Sequence, residues 1–136
     1  MRVYDDFVYH STAVDETLRA LRARHEEGAL WAVFEPRSAT ACRALHQAAY
    51  ARAFGAASHV LFAPLGRPDI AASERLDLDA LVVALRSAGT PAEAAPSVDA
   101  IVTALAQGVR PGDTVALLSN GAFGGIHDKL REALAQ

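Results

Sequence analysis

Thr114-Val115-Ala116-Leu117-Leu118 runs directly into Ser119-Asn120-Gly121-Ala122-Phe123-Gly124-Gly125, and then into Ile126, Leu130 and Leu134 at i, i+4 and i+8. The first segment has the length of a strand and no polar alternation, which is the pattern of a strand covered on both faces of a parallel sheet. The last three residues fall on one face of a helix. A doubly covered strand that feeds a helix through a short glycine turn is half of a crossover unit. This stretch therefore predicts an α/β fold with a mostly parallel sheet.

The same alternation continues outward along the chain. Val3 to Phe7 reads as an extended run, and Thr12 offers an N-cap with Asp15 three residues on. Val14, Leu18 and Leu21 follow at helical spacing, and Gly28 ends that helix. Leu30 to Phe34 is a compact apolar run, read as a buried strand, and Glu35-Pro36-Arg37-Ser38 breaks it. A helix over residues 40–54 and a strand from Ser58 to Ala63 come next. Asp77 to Ala88 carries Leu78, Leu81, Val82 and Leu85 on one face, and Gly89 closes it. Thr90 to Ala95 is a weaker strand, Ser97 caps a fourth helix, and Pro111-Gly112-Asp113 is a turn. The expectation is one Rossmann-like, three-layer α/β domain with about six strands and about five helices. Ligands of such sheets bind beyond the carboxyl ends of the strands. Three loops fall on that side: Tyr9 to Thr12, Glu35 to Thr40, and Ser119 to Gly125.

Composition limits the function. The chain has 136 residues, long enough to bury a core without disulfides or a structural metal. Its net charge of −3 and its dispersed basic residues argue against nucleic acid as a partner. Arg19, Arg22 and Arg24 form the one short basic cluster, read as a solvated helix face. A single cysteine, Cys42, excludes an internal disulfide, fits a cytoplasmic origin and reads as a small buried residue. Met1-Arg2 leads straight into a strand-like run with no signal peptide, and no apolar stretch reaches the ~20 residues of a membrane span. His10, His25, His46, His59 and His127 fall in different elements without close helical partners, so no metal site is expected, and His59 reads as structural. There is no G-x-S-x-G elbow and no G-x-x-x-x-G-K-[ST] phosphate loop.

The three loops carry the residues suited to chemistry. Asp5 and Asp6 alternate across a strand and so are not a ready acid–base pair, though one can reach an amine, a ribose hydroxyl or a magnesium-bound water. Equally, Asp5, Asp6, Ser11 and Thr12 can simply end a strand and cap a helix. Arg37, just past a buried strand, suits bidentate recognition of a carboxylate or phosphate, or else a surface ion pair. In the third loop, Gly124 and Gly125 precede a helix start that favours an anion, or they form only a tight turn.

Taken together, three segments resemble the C-terminal domain of the Mur ligases. They are Val3 to Val14, with Asp6 at the motif aspartate, Trp31-Ala32-Val33-Phe34-Glu35-Pro36-Arg37-Ser38, and Leu118 to His127. The Glu-Pro-Arg-Ser and Ser-Asn-Gly-x-Phe-Gly-Gly-Ile-His strings resemble the murein-peptide ligase branch. The likeness covers essentially the whole chain, so residues 1–136 correspond to one lid-like, substrate-binding domain, without the family's N-terminal UDP-sugar and central ATPase domains. The resemblance implies a part in peptidoglycan recycling, in a cytoplasmic enzyme that joins a murein tripeptide to UDP-N-acetylmuramate with ATP and Mg2+. It places Asp6 and His10 near ATP. It places Arg37, Ser38, Ser119, Asn120, Phe123 and His127 at the peptide. It assigns no catalytic residue and no tightly held cofactor to this domain alone. The chain departs from the family at Tyr9 (a histidine position), Ser11 (a proline position), Ala39, Ala41 and Ala122. These departures leave open a stand-alone or degenerate peptide- or anion-binding module without catalysis, or an interaction domain that has kept the fold alone.

Overall fold

The computed structural model of the protein describes residues 2–7, 11–35, 47–64, 77–119 and 126–134. Their elements follow in the order β1 (Arg2–Phe7), α1 (Ser11–Arg24), β2 (Leu30–Glu35), α2 (Gln47–Ala53), β3 (His59–Phe62), α3 (Leu78–Ser87), β4 (Ala92–Ala94), α4 (Val98–Gly108), β5 (Thr114–Ser119) and α5 (Ile126–Leu134). The five strands form one sheet in the order β1-β5-β2-β3-β4, and every pairing is parallel. Among the described residues each of the five apolar runs named above supplies one strand, close to the expected number of about six. Residues 40–46 of the expected second helix lie outside the described residues.

Side-chain alternation along the strands builds the three layers. Leu30, Ala32 and Phe34 of β2, Val60 and Phe62 of β3, and Ala116 and Leu118 of β5 face α1, α2 and α3, where Val14, Leu18, Tyr50, Phe54, Leu81 and Leu85 cover them. Trp31 and Val33, Leu61, and Val115 and Leu117 face the other way, under Ile101, Val102 and Leu105 of α4 and Ile126 and Leu130 of α5. β2 and β5 are buried throughout, as their unbroken apolar runs require. Phe34 anchors the first layer with rings of Tyr50 at 5.2 Å, Phe54 at 5.7 Å and Phe62 at 6.4 Å.

Local chemistry sets the starts of α3 and α4. The Asp77 carboxylate accepts from the Ala80 N–H at 3.0 Å, and the Ser97 hydroxyl oxygen accepts from the Ala100 N–H at 3.1 Å. Thr12 does not cap α1, because the helix has already begun at Ser11, and Asp15 pairs with Arg19 at 2.9 Å one turn on. Arg22 also departs from the solvated face assigned to it. Its guanidinium donates to the Ser58 hydroxyl at 2.7 Å and to the Gly28 carbonyl at 3.0 Å, tying the end of α1 to the starts of β2 and β3.

The amino edge of the sheet is held by Asp113. Its carboxylate accepts from the N–H of Ala29 at 2.9 Å, the N–H of Arg110 at 3.0 Å and the indole N–H of Trp31 at 3.2 Å. Burial pushes the Asp113 carboxyl up, but these donors and the Arg110 charge outweigh it and hold the group below its ordinary value. Gly28, at φ 80°, lies so close to the Gly112 carbonyl that no Cβ fits there.

Candidate functional site at the carboxyl edge of β1, β5 and β2

The order of the strands sets which elements flank the carboxyl end of β5. The strands β1 and β2 lead to helices on one face of the sheet, whereas β5, which lies between them, leads to α5 on the other. The carboxyl end of β5 is thus the switch point of the sheet, the place where ligands of such folds bind. Phe7, Glu35 and Ser119 are the last residues of their strands and stand in one row, Phe7 paired with Ser119 and Ser119 with Glu35. At the usual strand spacing the row is about 10 Å wide. All three loops expected to carry function leave from it.

Two residues expected in loops prove to be strand residues. Glu35 closes β2 and Ser119 closes β5. Both are 4% exposed. They continue the Trp31–Val33 and Val115–Leu117 rows on the face covered by α4 and α5. There the Ser119 hydroxyl donates to Glu35 Oε1 at 3.1 Å. A buried carboxylate is costly without hydrogen-bond donors, and Ser119 supplies one. Ser119, expected among the peptide ligands, thus has its side chain engaged within the sheet. Glu35 was not among the expected site residues. The signal that could have found it is a charged residue closing an otherwise apolar strand.

Asp6 stands in β1 paired with Leu118, one residue short of the edge. His127 is the second residue of α5, directly after the fully buried Ile126. His10, Arg37, Ser38, Asn120 and Phe123 lie outside the described residues. The structure thus brings the strands that lead into all three motifs to one edge.

The opposite end of the sheet offers a different surface. An open cavity of about 430 Å³ lies toward the amino ends of β2, β3 and β4, lined among others by Trp31, His59, Glu93 and Gln107. His59 stacks on the Trp31 indole at 4.1 Å and 17°, in agreement with its structural reading. Arg86 at the same cavity donates through Nε to the Ala92 carbonyl at 2.9 Å. Trp31, His59 and Arg86 brace this edge of the sheet, and none of them lies in the three loops.

Known proteins share this arrangement. The family of Mur ligase glutamate ligase domains matches residues 1–121. The UDP-N-acetylmuramate–L-alanyl-gamma-D-glutamyl-meso-2,6-diaminoheptandioate ligase of Escherichia coli is 35% identical over 136 residues, which cover 98% of this chain and 28% of that protein. A murein peptide ligase of Psychrobacter arcticus superposes with a TM-score of 0.80 at 30% identity, over 98% of this chain and 27% of its own. A crystallised domain from a Haemophilus ducreyi protein, described as a ligase of the same kind, gives 0.71 at 35% identity, covering 97% of this chain and 89% of the domain. The chain thus spans little more than a quarter of the full-length relatives and nearly all of the isolated domain.

Proposed function

The chain belongs to the Mur ligase family through that family's glutamate ligase domain, and from this premise we propose that it is the substrate-binding, lid-like C-terminal domain of a cytoplasmic, ATP-dependent murein-peptide ligase. The full-length enzyme would join a murein tripeptide to UDP-N-acetylmuramate. The observation that carries this reading is the single row of Phe7, Ser119 and Glu35, from which all three motif loops depart. Relatives with 35% identity whose names specify that ligation support the substrate class. The UDP-sugar and ATPase domains are then the partners this domain closes against.

The chain's own residues act by binding and orientation. Arg37 and Ser38 receive a carboxylate of the incoming tripeptide, since a planar guanidinium grips a carboxylate through two parallel hydrogen bonds. Asn120, Phe123 and His127 line the peptide as well. Held in this way, the peptide amine is presented to the activated muramate, and closure excludes water that would otherwise hydrolyse it. ATP with Mg2+ would supply the phosphoryl group that activates the muramate carboxylate. This chain has no phosphate loop, so its share of that site is limited to Asp6 and His10. Asp6, next to last in β1, stands close enough to the edge to fit such a role.

Calorimetric titration of the chain with L-alanyl-γ-D-glutamyl-meso-diaminopimelate tests the reading. Binding is expected, and Arg37→Ala should weaken it at least about tenfold, the scale of a lost charge-assisted pair. Absence of binding, or binding indifferent to Arg37→Ala, would overturn it. The departures at Tyr9, Ser11 and Ala39 favour a second reading, a binding module without catalysis. Ligation by the full-length protein decides between the two.

A further inference from the structure

We propose that Glu35 is a positioning residue of the peptide site, acting through Ser119. It holds the base of the second loop in register with the base of the third. This proposal rests on the functional reading above and adds a residue to it.

Four observations converge on the pair. Glu35 and Ser119 are directly opposite in the β2–β5 ladder. Each is the last residue of its strand, so each immediately precedes a motif, Pro36-Arg37-Ser38 in one case and Asn120-Gly121 in the other. Both are 4% exposed, so neither serves as an open ligand for a peptide. The Ser119 hydroxyl is bonded to Glu35 Oε1 at 3.1 Å across 84 residues of chain. The parallel backbone ladder ends at this row. At this row the bond is a side-chain link between β2 and β5 among the described residues.

A carboxylate suits the task better than an apolar residue. Removing the Ser119 hydroxyl takes a hydrogen-bond donor from a buried carboxyl group, which costs more than losing an apolar contact. Packing fixes the direction of the pair, because Val33 and Leu117 lie one strand repeat earlier on the same face and both are fully buried. The groups that touch the peptide are then placed by a bond that does not touch it.

The test compares tripeptide affinity with folding stability in the same variants of this chain, since a crystallised domain of matching extent shows that such a unit stands by itself. Ser119→Ala and Glu35→Ala should each weaken tripeptide binding about tenfold, as expected for loss of a buried bond at the base of a site. The double variant should be little worse than either single one, because both remove the same link. Glu35→Gln keeps an acceptor for the Ser119 hydroxyl and should bind within about threefold of the unaltered chain. Asp113→Asn, at the opposite end of the sheet, should lower the urea midpoint while leaving affinity unchanged. Affinity that tracks stability alike in Ser119→Ala and Asp113→Asn would reduce the pair to a purely structural role and overturn the proposal. Binding indifferent to Ser119→Ala would do the same, as would a Glu35→Gln variant as weak as Glu35→Ala. If the unaltered chain does not bind the tripeptide at all, the functional reading fails and takes this proposal with it.

Discussion

Asp113 shows how one residue can hold the end of a sheet opposite the three motif loops. Its carboxylate gathers donors from the turn before β5, the start of β2 and the Trp31 indole. The folded state holds this group below its ordinary value, so the unfolded chain takes up its proton more readily. The contribution to stability is therefore complete above the unfolded carboxylate range, about pH 4, and is lost as pH falls toward the lower folded value. Asp113→Asn should cost about 2 kcal/mol at neutral pH, and the difference from the unaltered chain should shrink on acidification below about pH 4. Urea unfolding at several pH values measures both. A gap that widens on acidification would contradict the assigned direction. Glu35 and Ser119 are the counterpart at the other edge, where the residues that order the site are buried one step behind those expected to meet the substrate.

Among the elements, α4 is the most exacting. Ser97 caps it, Ile101, Val102 and Leu105 fill the second layer, and its last residue, Gly108, lies against the Trp31 ring. A Cβ at Gly108 would stand 2.7 Å from Trp31 Cη2, inside any ordinary contact. Gly108→Ala should therefore push the indole away from both His59 and Asp113, at a cost of about 1–3 kcal/mol. Trp31 fluorescence and the thermal midpoint would report it, and an unchanged emission maximum with unchanged stability would refute the contact. The capped helices α3 and α4 were readable in advance, because Asp77 and Ser97 act on N–H groups three residues away. The start of α1 and the role of Arg22 were not. A helix that begins one residue earlier turns Thr12 from cap to first-turn residue, and one partner of Arg22, Ser58, is 36 residues distant.

At the scale of the whole molecule, the strands that lead into the three motifs share one edge of the sheet, and the sequence holds no phosphate loop. The chain alone should therefore bind tripeptide but form no amide bond and release no phosphate from ATP. A coupled phosphate-release assay with UDP-N-acetylmuramate, tripeptide, ATP and magnesium tests this, and turnover by the chain alone would overturn the lid assignment. With the rest of the ligase present, turnover should appear and should depend on Arg37.

What the sequence determined by itself is what acts over a few residues. Apolar runs marked the strands, helical spacing marked the buried faces, and the three motifs marked the family and the loops on which function was to be sought. What only the tertiary structure decided is the insertion of β5 between β1 and β2, which turns three separate motifs into one edge. The bond from Ser119 to Glu35 follows from the same insertion. Strand order is set by pairing and packing between segments that are far apart in the chain, and no local preference records it. Glu35 looked like the first residue of a loop for that reason: its burial and its partner exist only once β5 lies beside β2.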